Sequence, residues 1–382
     1  MALQIIAVGH DAYRAGAQIL FLHLLRWLRD HHRAELCLLL GADGALVEDY
    51  AATLPTRVLP PPPSRAGGSR PSRQLARARH ELDLRRVRHR LGPADLVYAN
   101  SVASARLALR LAAGWRCPVL CHVHELDMAI RRSPGAGPFR EAAARIERFV
   151  AVSRAVEQTL VEGYDVDPRR IDRIPGGIPL PPAGGRAERR RAVTAELGLA
   201  PDAFVVGGSG TLDWRKGPEL FLLVARSLAR RAGARPLAFV WVGGEPGPRA
   251  QLARDVARTG LDGVVHLVGQ TAEPSRYFDA FDAFLLTSRE DPFPLVCLEA
   301  AALGVPVVCF EDAGGAPELV EADAGFVVPY LDVEAAAGRL GELAASEATR
   351  SALGRRAAEK VAERCSIDVV GPRVAAVIDR LL

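Results

Sequence analysis

Lysine is almost missing from this chain. Lys216 and Lys360 are the only two among 49 basic residues, and the rest are arginine. With the abundant alanine this reflects a GC-rich genome, and it makes each lysine a rare choice. The six cysteines (Cys37, Cys117, Cys121, Cys297, Cys309 and Cys365) contain no C-x-x-C pair and sit mostly in apolar runs. That excludes a disulfide scaffold and fits a reduced, cytoplasmic protein. No apolar stretch approaches the ~18 residues of a membrane span, and Met1-Ala2-Leu3-Gln4 lacks the basic opening of a secretory signal. An excess of one charge is missing too: 49 basic against 45 acidic residues leave +4, too little to argue for nucleic acid. A soluble, cytoplasmic chain is expected, with peripheral contact at the inner face of a membrane left open.

What is present is ordinary globular material: 382 residues, 49% hydrophobic and 25% charged, enough for two domains. Short apolar runs alternate with longer helical stripes. Leu3–Val8 reads as a buried strand, followed by a stripe carrying Ile19, Leu20, Leu24, Leu25 and Leu28. Leu36–Leu40, Leu96–Ala99, Val119–Val123 and Phe149–Val152 continue the series, and Ile171–Ile174 reads as a further strand. After a Pro- and Gly-rich stretch from Pro179 to Gly185 the pattern restarts with Phe204–Val206, Ala238–Val242, Val264–Leu267, Ala283–Leu286, Val305–Val308 and Phe326–Val328. This is βαβ grammar, so the expected fold class is α/β, two Rossmann-like parallel-sheet domains. The expected boundaries are 1–178 for the first domain, 179–200 for linker and entry, and 201–365 for the second. A terminal helix at 366–382 is expected to pack back on the first domain.

One segment departs from the pattern. Pro60 to Pro63 begin a stiff, extended stretch. Nine arginines from Arg65 to Arg90 follow, among them Arg73, Arg77 and Arg79, against only Glu81 and Asp83. A loop running into a solvated helix is one reading. The other is an electrostatic landing strip for an anionic acceptor or an anionic lipid surface, with Arg73, Arg77 and Arg79 as the candidate acceptor contacts. Nucleic acid fits less well, because no aromatic residues interleave as stacking platforms.

Two loops in the second half carry chemistry. Val205-Val206-Gly207-Gly208-Ser209-Gly210 leads through Thr211-Leu212-Asp213-Trp214 to Arg215-Lys216-Gly217 and then an amphipathic helix. A glycine turn between strand and helix lets backbone N–H groups approach a phosphate, and Arg215 and Lys216 add two cations. It is not G-x-G-x-x-G, and no acidic residue ends the next strand, so nicotinamide binding is a poor fit. The second loop runs from Thr287 to Ala300. Asp291 lies at the carboxyl edge of the sheet and Glu299, eight positions on, inside a helix that starts near Pro294. Carboxylates accept pairs of hydrogen bonds from vicinal hydroxyls, and a helix N-terminus favours a diphosphate. A ligand with sugars at both ends and phosphates between satisfies all three features.

These segments, with Arg14-Ala15-Gly16-Ala17-Gln18, His122-Val123-His124-Glu125, Phe149–Ser153, Ile174-Pro175-Gly176-Gly177-Ile178 and Gly314-Gly315-Ala316-Pro317-Glu318, make the chain resemble the retaining glycosyltransferases of family 4 over nearly its whole length. The resemblance implies the GT-B fold, two Rossmann-like domains facing a cleft, and a UDP- or GDP-sugar donor. It implies that Lys216 binds the donor diphosphate, Glu299 the ribose and Asp291 the donor sugar. His124 is implied to face the sugar, and Gly16 to let the first loop approach the phosphate. The catalytic candidates are thus His124, Lys216 and Asp291; the donor-binding ones add Gly16, Gly210, Arg215, Phe293, Leu295 and Glu299. The chain departs from the family in having Asp291 where Glu is usual, Pro292 and Pro294 where glycines are, and Thr211 where an arginine is. Phe293 and Leu295 keep the N–H groups that the prolines lack, and Arg215, four residues beyond Thr211, is the candidate to supply the missing charge.

Cys117, Cys121, His122 and His124 lie close together, but strand alternation sends Cys121 and His122 to opposite faces, so no metal site is expected there. Asp165-Val166-Asp167 sits where aspartate is a turn residue. No hydrolase nucleophile elbow appears. No cofactor or metal requirement is expected; the partners are a nucleotide-sugar donor and an unidentified acceptor. A nucleotide-sugar 2-epimerase and a non-catalytic nucleotide-sugar-binding protein are the alternatives.

Overall fold

The structure, a computed structural model, describes residues 3–59, 70–231 and 235–382. They form two compact units, Met1–Gly177 with Ile367–Leu382, and Ile178–Ser366. The first holds strands β1 (Gln4–Gly9), β2 (Glu35–Leu40), β3 (Thr56–Val58), β4 (Leu96–Asn100), β5 (Val119–Val123), β6 (Arg148–Ala151) and β7 (Ile171–Arg173). Among the described residues these make one parallel sheet in the order β3-β2-β1-β4-β5-β6-β7. Ile5, Ile6, Ala7 and Val8 of β1 are all buried. Such an unbroken apolar run is what a parallel strand needs when helices cover both of its faces.

The second unit holds β8 (Phe204–Ser209), β9 (Leu237–Val242), β10 (Val265–Gly269), β11 (Ala283–Leu286), β12 (Val307–Phe310) and β13 (Gly325–Val328). Their order is β10-β9-β8-β11-β12-β13, again parallel. In both sheets the chain winds outward, then returns to the first strand, so the order reverses between β1 and β4 and between β8 and β11. In open α/β sheets the ligand crevice lies outside the strand carboxyl ends at such a switch point.

Two differences from the sequence reading have clear causes. Gly207, Gly208 and Ser209 were expected in a turn, yet they continue β8, and the turn begins at Gly210. A Cβ on Gly207 would stand 2.0 Å from the Phe281 ring, and one on Gly208 would stand 2.7 Å from Phe221. These glycines make room for aromatic packing in the core. The short, mostly exposed strand β3 escaped notice because it carries no apolar run.

The closing helix Ile367–Asp379 puts Val370, Val374, Val377 and Ile378 into the core cluster that holds Leu24, Leu25 and Leu28 of the helix Gly16–His31. Residues Arg70–Leu91 form a helix. Pro60–Pro63, Arg65 and the side chains of Arg73, Arg77 and Arg79 lie outside the described residues. No helix among the described residues is long and apolar enough to cross a membrane.

Candidate functional site

The loop after β8 is braced from several sides. Asp213 accepts a hydrogen bond from the Thr211 hydroxyl at 2.8 Å and, through its other carboxylate oxygen, from the Lys216 N–H at 3.0 Å. The loop after β11 holds it from the side: the Arg289 N–H donates to the Arg215 carbonyl at 2.7 Å, and the Thr287 hydroxyl to the Lys216 carbonyl at 2.9 Å. Gly217 has φ +62°, and a Cβ there would lie 2.4 Å from the Thr287 carbonyl oxygen, so only glycine lets the two loops close. Gly210 has φ +147°, and the aliphatic stem of Lys216 lies against the position of its missing side chain.

The charged groups meet at one point. Lys216 Nζ lies 2.5 Å from Asp291 Oδ2, and Arg215 Nη1 lies 3.6 Å from the same oxygen. Ser288 Oγ donates to that oxygen as well, at 3.1 Å. Asp291 is only 5% exposed. Burial alone would raise its carboxyl, but the Lys216 and Arg215 charges outweigh burial and hold it below the ordinary carboxylate range. Its backbone is fixed too: its N–H donates to Ala313 O at 2.7 Å, and its carbonyl accepts from Gly315 N at 3.0 Å. Gly314 (φ +127°) passes so close that a Cβ would overlap the Asp291 carbonyl oxygen at 1.8 Å.

Phe293 and Pro294 lead from this cluster into the helix Leu295–Ala302, which has Pro294 as N-cap and no side-chain capping bond. The first N–H groups of a helix have no partner within it and no side-chain cap here, so its positive pole is left at this end, beside the buried Phe293 and Leu295. One turn further on stands Glu299, with no hydrogen-bond or ion-pair partner among the described residues. Burial pushes its carboxyl up to about 7. The structure therefore brings Gly210, Arg215, Lys216 and Asp291 into contact and sets Phe293, Leu295 and Glu299 on the segment that follows.

His124 and Gly16 belong to the first unit. Gly16 opens the helix Gly16–His31 beyond the end of β1, with exposed backbone and no side-chain cap. His124, just past β5, has its Nε2 2.9 Å from Asn100 Oδ1. Burial, then the neighbouring His10, drive its imidazole down to about 3, so it is neutral. A neutral ring that donates from Nε2 leaves Nδ1 as an acceptor. Around it lie residues that the sequence reading left without a role. His10 Nδ1 is 2.9 Å from Ser101 Oγ, His10 Nε2 is 3.2 Å from Asp11 Oδ2, and Gln18 Nε2 donates to Asp11 Oδ1 at 2.6 Å. Burial would lower the His10 imidazole, but Asp11 outweighs it and the ring is raised above its ordinary value. Ser101 sits at φ 85°, a conformation that side chains rarely adopt. The signal in the sequence was position: Gly9-His10-Asp11 and Asn100-Ser101 close β1 and β4, the two strands of the switch point.

Two parallel-sheet units of this topology, each with its polar side chains gathered at the reversal of strand order, define a protein of the GT-B class. The profile described as "Glycosyltransferase Family 4" matches residues 14–180, and that described as "Glycosyl transferases group 1" matches residues 190–360. The chain belongs to glycosyltransferase family 4. It is 29% identical over 302 residues to a D-inositol 3-phosphate glycosyltransferase of Streptomyces bingchenggensis (strain BCW-1), covering 73% of this chain and 65% of that protein. The protein of the same description from Nocardia farcinica (strain IFM 10152) is 29% identical over 279 residues, 69% of this chain and 61% of that protein. The chain thus spans a little under two-thirds of the length of these relatives. Among solved structures, Anabaena Alr3699/HepE in complex with UDP and glucose superposes with TM-score 0.82 at 20% identity, covering 99% of this chain and 100% of that chain. Sucrose-phosphate synthase from Thermosynechococcus elongatus does so with TM-score 0.79 at 19% identity, over 99% of each chain.

Proposed function

We propose that this chain transfers a sugar from a nucleoside diphosphate sugar to an acceptor hydroxyl with retention of configuration, and that its second unit holds the donor. The observation that carries this reading is the Lys216–Asp291 pair, 2.5 Å apart, beside an uncapped helix N-terminus with Glu299, unpartnered among the described residues, one turn along. Lys216 and Arg215 bring two positive charges against the single charge of Asp291. One positive charge is left over, so a diphosphate is attracted there and draws the ammonium from the carboxylate, which then accepts a hydroxyl of the transferred sugar. Glu299 accepts the ribose diol.

In the reaction the bond from the anomeric carbon to the phosphate oxygen breaks and one to the acceptor oxygen forms on the same face. The leaving phosphate takes the acceptor proton. Lys216, Arg215 and the helix N-terminus stabilise the charge that grows on that phosphate, the largest electrostatic demand of the step. The parts of His124 and Gly16 rest on the family resemblance. For the acceptor, the relatives described as acting on D-inositol 3-phosphate make a phosphorylated polyol the first to test, and the arginine-rich segment suits an anionic one.

Incubation with UDP-glucose or GDP-glucose, with and without D-inositol 3-phosphate, followed by mass spectrometry and anomeric proton couplings, tests this. A glycosylated acceptor of retained configuration is expected. Epimerised donor without acceptor, or tight nucleotide-sugar binding with no turnover on any acceptor, would contradict it.

A further inference from the structure

Trp214 is 60% exposed, a large apolar surface left in water beside the diphosphate-binding pair proposed above. It is not a loose surface residue. The Arg289 guanidinium lies over its ring at 5.0 Å, and Arg289 Nη1 donates to the Trp214 carbonyl at 2.7 Å. Arg289 is itself anchored. Its side chain is only 13% exposed and reaches Glu219 at 2.6 Å, while its carbonyl accepts from the Tyr330 hydroxyl at 3.3 Å. The guanidinium thus occupies one face of the indole, and the exposed area belongs to the remainder of the ring. Holding an aromatic ring in place while leaving it bare lowers the entropy cost of stacking a ligand on it.

Resting on the donor-site reading, we infer that Trp214 is a specificity-determining platform on which the transferred sugar ring of the nucleotide sugar stacks. Two residues of chain span at most about 7 Å, so Trp214 stays close to Lys216. The group joined directly to a diphosphate at Lys216 is the sugar on one side and the ribose on the other. The ribose has its own partner in the Glu299 carboxylate, one turn inside the helix Leu295–Ala302. A pyranose offers a face of C–H groups that suits an aromatic ring, whereas a phosphate or an open polyol chain offers none. The platform adds no charge and takes no part in bond making; it tells a nucleotide sugar from a bare nucleotide.

The test compares wild type with Trp214→Ala and Trp214→Phe, by isothermal titration with UDP, GDP, UDP-glucose and GDP-glucose. The preferred nucleoside diphosphate should bind all three proteins alike, which also shows that the variants are folded. Its glucose conjugate should bind Trp214→Ala roughly three- to tenfold more weakly, the scale of one aromatic contact, and Trp214→Phe should recover most of the loss. Trp214 is one of only four tryptophans. The wild-type emission change on adding the nucleotide sugar should therefore exceed that with the bare nucleotide, and the excess should vanish in Trp214→Phe. Equal nucleotide-sugar affinity in wild type and Trp214→Ala overturns the inference and leaves the donor site standing, even where Trp214→Ala raises an acceptor KM. A wild-type protein that binds none of the four overturns the donor-site reading and this inference with it.

Discussion

Glu299 stands one turn inside the helix that follows the charged cluster, and burial pushes its carboxyl up to about 7, from an ordinary value of 4.5, with no partner among the described residues to oppose the shift. The folded chain holds this proton more tightly than the unfolded one. The stability it contributes is therefore complete below about 4.5 and is lost as pH rises through about 7. Ligand binding runs the other way, because a ribose diol donates its hydrogen bonds to the ionised form. The affinity for a nucleotide sugar, whose phosphates do not titrate near neutrality, should rise between pH 6 and 8 with release of a proton. Titrations in buffers of different ionisation enthalpy would show it. Glu299→Gln should flatten that pH dependence and weaken binding at pH 8 by about 1.5–3 kcal/mol, the worth of hydrogen bonds to a charged group. A pH-independent affinity in wild type would remove Glu299 from the ribose role.

At the scale of elements, β8 shows what the sequence made legible and what it concealed. Apolar runs locate nearly every strand of both sheets, because a parallel strand covered on both faces must be apolar throughout. The glycines that close β8 read equally as strand or turn, since glycine tolerates both. Only the rings of Phe281 and Phe221, distant in sequence from Gly207 and Gly208, decide between them. The contact of Lys216 with Asp291 was hidden for the same reason. Each was visible as a candidate, but their pairing depends on Gly314 running against the Asp291 backbone. His10 and Ser101 carried no motif and became visible only when β1 and β4 were seen to be neighbours. The packing account of β8 has its own test. Gly207→Ala should cost about 1–3 kcal/mol by overpacking against Phe281, lowering the melting temperature by several degrees. Gly247→Ala, in a helix with nothing within 4 Å of the new Cβ, should leave it unchanged or raise it. Equal melting temperatures for the two variants would contradict the account.

For the whole molecule, the scarcity of lysine is the most informative feature of the composition. Lys360 is wholly buried and paired with Glu321 at 2.8 Å and with Asp323, a structural use of its charge. Lys216 is the other, and it stands where a compact ammonium can exchange a carboxylate for a phosphate. The arginines serve a different end. If those between Arg65 and Arg90 receive an anionic acceptor, then Arg73→Gln, Arg77→Gln and Arg79→Gln combined should raise the acceptor KM and flatten its salt dependence, with nucleotide affinity untouched. Steady-state kinetics across ionic strength would read this, and an unchanged KM would assign the segment to a solvated face. The central claim, that the second unit grips a nucleoside diphosphate through Lys216, is tested most directly by isothermal titration of UDP, GDP and ADP into wild type and Lys216→Ala, each checked for fold by circular dichroism. The account predicts that wild type binds at least one of the three and that Lys216→Ala binds it at least about tenfold more weakly, the loss of one charge-assisted contact. Equal affinity in the two proteins, or no binding of any of the three to wild type, would contradict it.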